Sequence, residues 1–175
     1  MAAYDLSNLK VLIVDDYQPM RHILRNVLYA LGIKDSTEAP SVEDALKTLE
    51  TAEVDIVFAD NFMKPMNGVE MVRKIRAGER GVNAFVPIIM ISGYSDMVHI
   101  MEARDAGINE FLAKPVSAKL VYLRICSVIE NPRSFVNCDE FFGPDRRRRS
   151  LQIDGDERRE DDYDYEEHSR EKNRN

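Results

Sequence analysis

Short apolar runs alternate with stretches of helical spacing through the first 131 residues of the chain. VLIV, Val11–Val14, reads as a buried strand. From Pro19 to Leu31 the apolar positions Ile23, Val27 and Leu31 recur at helical spacing, and Gly32 is a stop signal. Asp35–Ala39 is a weaker second strand. Ser41 sits as an N-cap, with Asp44 in the capping-box position, for a helix reaching about Thr51. DIVFA (Asp55–Ala59) is a third strand, followed by a helix from Gly68 to Ala77 that Gly78 ends. PIIMI (Pro87–Ile91) is a fourth, followed by a helix from Asp96 to Ala106 that Gly107 stops. Glu110–Ala113 is a fifth, and Ser117 caps a last helix to about Glu130, where Asn131-Pro132 ends it. Strands alternating with helices predict an α/β fold with parallel pairing through right-handed crossovers. Continuous aliphatic runs such as VLIV, DIVFA and PIIMI belong to strands covered on both faces.

Composition narrows the picture. Hydrophobic residues make up 44% of 175, enough for one ordinary core and an appendage. The net charge of −7 argues against a generic nucleic-acid binder, which carries a basic surface. Cys126 lies in a helix-like apolar stretch and Cys138 in a polar one, so no disulfide framework is expected. The amino-terminal MAAYDLSNLK lacks the apolar run of a signal peptide, and no stretch approaches the roughly 20 apolar residues of a membrane span. The expectation is a soluble cytoplasmic protein. After Phe142 the chain offers almost nothing to bury, so that segment is expected to be disordered alone.

In open parallel sheets the functional crevice lies at the carboxyl ends of the strands. Here the first strand runs into Asp15-Asp16, the third into Asp60, the fourth into Ser92-Gly93 and the fifth into Lys114-Pro115. Adjacent aspartates at a strand end repel and need a positive partner. Three carboxylates, a hydroxyl and an ammonium at the same end predict one pocket, and hard oxygen donors in a half-hydrated site suit Mg²⁺. At least one of the carboxylates is expected to have a raised pKa without the metal.

These residues, with IVDD (Ile13–Asp16), FADNFMKPMNG (Phe58–Gly68), MISGYS (Met90–Ser95) and AGINEFLAKP (Ala106–Pro115), resemble the receiver domain of two-component response regulators. The resemblance spans roughly residues 8–131 and leaves 132–175 as a polar extension. It implies a flavodoxin-like doubly wound sheet, strand order 2-1-3-4-5, with five flanking helices. By that resemblance Asp60 accepts a phosphoryl group from a phosphohistidine on a kinase or phosphotransfer protein. Asp15, Asp16, Asp60 and the backbone carbonyl of Phe62 hold Mg²⁺, Lys114 contacts the phosphoryl oxygens, and Ser92 and Phe111 are the switch residues. The Lys114-Pro115 bond is cis in the family, and the sequence permits it. The chemistry is coherent: phosphoryl transfer to a carboxylate asks the protein for positioning and charge neutralisation.

The chain departs from the family pattern D-x-x-M-P-x-M-x-G. The aspartate-to-glycine spacing is kept, but proline moves one place to Pro65 and Lys64 stands where it is expected. Phe111 offers no hydroxyl, and Phe62 and Tyr94 occupy positions flanking the phosphoryl group, where two aromatics could exclude water and lengthen its lifetime.

No DNA-binding unit fits in the polar remainder, so output by protein contact is expected, without DNA or membrane. By family analogy the face is the fourth helix, fifth strand and fifth helix, with Met97, Ile100, Met101, Phe111, Val121 and Tyr122 as candidates. Phe135, Phe141 and Phe142 are expected to pin the early extension to the domain. Arg146, Arg147, Arg148 and Arg149 form an arginine run suited to an anionic ligand or an acidic partner. Arginine-rich extensions in some receiver proteins bind cyclic di-GMP, which makes that nucleotide a candidate ligand and a cyclic di-GMP adaptor an alternative function. A phosphorelay shuttle is another. A phosphohydrolase is a third, although those enzymes place Asp-x-Asp after the first strand, where this chain has Asp15-Asp16-Tyr17. His22, His99 and His168 have no metal-ligand spacing.

Overall fold

The computed structural model describes residues 4–93, 96–131, 134–138 and 141–145. In chain order the elements are β1 (Lys10–Val14), α1 (Gln18–Ala30), β2 (Asp35–Ala39), α2 (Val42–Thr51), β3 (Ile56–Asp60) and α3 (Gly68–Arg76). They continue with β4 (Ile88–Ser92), α4 (Met97–Ala106), β5 (Glu110–Ala113), α5 (Ala118–Glu130), β6 (Phe135–Cys138) and β7 (Phe141–Pro144). The main sheet has the expected order β2-β1-β3-β4-β5, and every pairing in it is parallel.

Alternation along each strand divides the core into two layers. Leu12, Val14, Val57, Ala59, Ile88 and Met90 point to the side covered by α2, α3 and α4. Val11, Ile13, Ile56, Phe58, Ile89 and Leu112 point to the side covered by α1 and α5. A period of two in strands buried on both faces produces this division without any polar position.

The helix starts follow local chemistry. Ser41, Asn67, Asp96 and Ser117 each accept a backbone N–H from the first turn, from Asp44, Glu70, His99 and Leu120. Asn67 and Glu70 complete a reciprocal capping box. Differences from expectation are small but consequential. β3 and β4 each lie one residue later than the apolar runs suggest, so Asp60 and Ser92 are the last residues of their strands. In α1 the buried positions are Leu24 and Leu28, while Ile23 is half exposed, because the stripe facing the sheet is centred one residue further on. Val121, a candidate contact residue on α5, is fully buried and faces the core, so it is not available for contact.

Beyond α5 the chain forms an antiparallel hairpin, β6–β7, within the segment whose polar composition predicts no element. Its rings dock as anticipated: Phe135 and Phe142 lie 5.5 Å apart and 4.8 and 5.3 Å from Phe85. Beneath them is Arg76, at the carboxyl end of α3, with its guanidinium carbon 5.2 Å from the Phe135 ring. Arg76 is buried and donates to the carbonyls of Ala84, Val86 and Gly107 and to Asn109 Oδ1. One side chain thereby ties α3 to the entries of β4 and β5 and to the end of α4. Burial pushes its pKa down to about 9, still leaving it charged at neutral pH. Gly143 and Gly107 face each other so closely that a Cβ on Gly143 would stand 3.0 Å from the Gly107 Cα. The hairpin therefore sits at the amino-terminal end of the sheet, away from Asp60. Disorder is expected from just after Phe142, but Gly143 and Pro144 are buried in β7, paired with β6. The rest of that segment from residue 146, with Arg146–Arg149 and His168, and Tyr94 fall outside the described residues.

Candidate functional site

The carboxyl ends of β1, β3 and β5 bring three of the expected residues into contact. Lys114 Nζ lies 2.8 Å from Asp60 Oδ1 and 3.5 Å from Asp15 Oδ2. Both aspartates are 5% exposed. The strand ends carry them there: Asp60 closes β3, Asp15 follows β1, and Lys114 follows β5. The Lys114 N–H donates to the Ser92 carbonyl at 2.8 Å, which registers the end of β5 on β4. Ser92 is fully buried. The Lys114-Pro115 bond is cis, as the sequence permitted, and so is Lys64-Pro65.

Each carboxylate also has a backbone donor. Asp15 Oδ1 accepts from Tyr17 N at 2.8 Å, Asp60 Oδ2 from Phe62 N at 3.0 Å, and Asp16 Oδ2 from Lys64 N at 3.3 Å. Burial raises the Asp15 pKa above the ordinary aspartate value, with the charge of Asp60 adding to it and the Tyr17 N–H and Lys114 opposing it. A carboxylate with a raised pKa was expected on this pocket. Burial also works against the charge on Lys114. The hydrogen bond and charge of Asp60, helped by Asp15, outweigh it and raise the ammonium pKa above its usual value.

The positive partner that the paired aspartates require is thus partly supplied by the chain itself, through Lys114. Asp16 stays exposed and turned toward the β3–α3 loop. Among the described residues no group of three or more His, Cys, Asp or Glu is gathered to hold a metal ion unaided. The donor chemistry nevertheless suits Mg²⁺, which uses one or two carboxylates and keeps several waters.

Phe62 is half exposed, and its ring lies 5.6 Å from that of His99. Phe111 packs partly buried against the core layer under α3 and α4. Met97 and Met101 of α4 are exposed, and Ile100 and Tyr122 are half-buried.

Three more residues bear on the site, and of these only Gly68, through its spacing from Asp60, stood out in the sequence. Arg21, on α1, donates to the Asp15 carbonyl at 2.7 Å and pairs with Glu38 of β2 at 3.1 Å, bracing the β1–α1 loop. A lone helical arginine resembles any solvated one until the partner strand is placed. Asn61 is 5% exposed, with no hydrogen-bond partner for its Oδ1 among the described residues. Gly68 permits the close return of α3, because a Cβ there would collide with the Asp60 carbonyl oxygen.

The response regulator receiver domain family matches residues 11–125. The chain belongs to this family. It is 34% identical to the chemotaxis protein CheY of Pseudomonas aeruginosa over 122 residues, 70% of this chain and 97% of that protein. It is also 34% identical to CheY-3 of Vibrio cholerae over 123 residues, 70% of this chain and 93% of the relative. Among solved structures, a response regulator receiver protein from Pseudomonas putida matches with TM-score 0.61 and 31% identity, over 67% of this chain and 94% of the other. The CheX–CheY–BeF3–Mg complex from Borrelia burgdorferi matches with TM-score 0.62 and 25% identity, over 69% and 89%. Receiver domains of this family are signalling switches and bind Mg²⁺. The β6–β7 hairpin lies beyond the residues that the family matches. No helix among the described residues is long and apolar enough to cross a membrane.

Proposed function

We propose that this receiver domain accepts a phosphoryl group on Asp60 from a histidine kinase or a phosphotransfer protein and signals by a phosphorylation-dependent protein contact. The observation that carries the reading is the Lys114 ammonium 2.8 Å from Asp60 Oδ1, with Asp15 beside it, at the ends of three parallel strands. An Asp60 carboxylate oxygen attacks the phosphorus of the donor as the donor's phosphorus–nitrogen bond breaks, and the leaving imidazole takes up a proton. Lys114 moves from partnering the carboxylate to partnering the phosphoryl oxygens that replace it. When bound, Mg²⁺ supplies charge neutralisation of those oxygens, held by Asp15, Asp16, Asp60 and the Phe62 carbonyl.

Ser92 and Phe111 serve as the switch, reading the new acceptor oxygens. The output face comprises α4, β5 and α5, where Met97 and Met101 are exposed. In the Borrelia structure a receiver of this kind is complexed with CheX; a protein partner of that sort is the reading for this chain, in the cytoplasm. Phe62, with Tyr94, slows hydrolysis by limiting water at the phosphoryl group. Incubation with acetyl phosphate and Mg²⁺ followed by intact mass spectrometry tests the reading. Wild type gains one phosphoryl group and Asp60→Asn gains none; equal labelling of both would refute it. Decay of the labelled form within seconds would remove the role given to Phe62.

A further inference from the structure

The β3–α3 loop reaches both sides of the pocket with alternate backbone donors. Phe62 N–H donates to Asp60, which closes β3, and Lys64 N–H donates to Asp16, which follows β1. The second bond spans 48 residues of sequence and exists only because residue 64 is not proline, which has no N–H to give. In the family pattern quoted above, proline stands at that place; here it is displaced to Pro65. We infer that the Lys64 backbone N–H is a positioning group for Mg²⁺, turning the Asp16 carboxylate to present its remaining oxygen to the ion.

Asp16 is exposed, so packing does not select its rotamer. A carboxylate has about four lone-pair sites, so a bond to Oδ2 leaves Oδ1 open for a cation. Restricting the carboxylate before the ion arrives lowers the ordering cost of binding. Hydrogen-bonded partners of ligating side chains typically account for about 10–100-fold in metal affinity. The Lys64 ammonium has no part in this role. Its charge near a cation site opposes binding.

This inference rests on the Asp60 reading above, and the test separates the two. Mg²⁺ alone is titrated into the unphosphorylated protein, followed by amide chemical shifts and calorimetry. The variants are Lys64→Ala, which keeps the N–H, the transposed K64P/P65N, which removes it, and an amide-to-ester replacement at residue 64 that deletes only that donor. The ester and the transposed variant should bind Mg²⁺ about tenfold more weakly or worse. Lys64→Ala should bind as tightly as wild type or more tightly. Urea midpoints without Mg²⁺ confirm folding, and the ester decides if K64P/P65N fails to fold. Wild-type affinity in the ester variant, or an equal loss in Lys64→Ala, overturns the inference while leaving the Asp60 reading intact. A wild-type protein with no saturable Mg²⁺ response overturns both.

Discussion

At the scale of single residues, the pocket stores an unfavourable charge. The Asp15 carboxyl has a raised pKa, chiefly through burial, so the folded protein keeps its proton to higher pH than the unfolded chain. Between the ordinary aspartate value of about 3.9 and the higher native value, stability falls as pH rises, because the native state binds more protons there. Asp15→Asn should therefore raise the urea midpoint at neutral pH, with the gain disappearing below the ordinary aspartate value; midpoints across an acid-to-neutral series measure it. Lys114 has the opposite sense. Its raised pKa contributes stability that is present below the ordinary lysine value of about 10.4 and is lost as pH climbs through the native value. Arg76 shows what a buried charge requires. Replacing it with Leu removes its donors from the carbonyls of Ala84, Val86 and Gly107 and leaves Asn109 Oδ1 with the Ile88 N–H. The expected loss is about 3 kcal/mol or more in urea unfolding, beyond what a surface arginine would show.

Among elements, the hairpin and the β3–α3 loop are built on close backbone approaches. The hairpin is held by three rings, one cation–π contact and the facing pair Gly107 and Gly143. Gly143→Val should prevent docking, because its side chain would meet the α4 cap and the Phe141 ring. Phe135→Ala should cost about 1–3 kcal/mol, below the cost for a fully buried ring because Phe135 is only half-buried. Both variants should show faster amide exchange at the end of α4 and around Ala84–Val86, with the Asp60 end little changed. At the other end of the sheet, Gly68→Ala would press a methyl group against the Asp60 carbonyl, which cannot move without shifting β3. Slower phosphorylation by acetyl phosphate with an intact fold is the expected outcome.

For the whole molecule, the doubly wound order places the two ends of the sheet in different roles. Loops after β1, β3 and β5 form the acidic pocket; loops before β4 and β5 receive Arg76 and the hairpin. A ligand that binds only the folded pocket should stabilise the whole domain by mass action. Mg²⁺ with beryllofluoride should raise the thermal midpoint of wild type in a concentration-dependent way and leave Asp60→Asn unmoved.

The alternation of apolar runs and helical spacing was enough to determine the sheet, its parallel sense and the end where chemistry gathers, because burial on both faces leaves no freedom of pattern. Asp15, Asp60 and Lys114 could be named because each follows an apolar run directly. The tertiary structure alone decided the rest. Arg21 and Arg76 look like solvated helix residues until remote carbonyls are placed against them. The hairpin's rings are scattered in a polar stretch, and their partners, Phe85 and Arg76, lie far back in the sequence. Which oxygen of Asp16 meets Lys64 depends on a contact between residues 48 positions apart. Local preference is written residue by residue, whereas such pairings exist only after the chain has closed on itself.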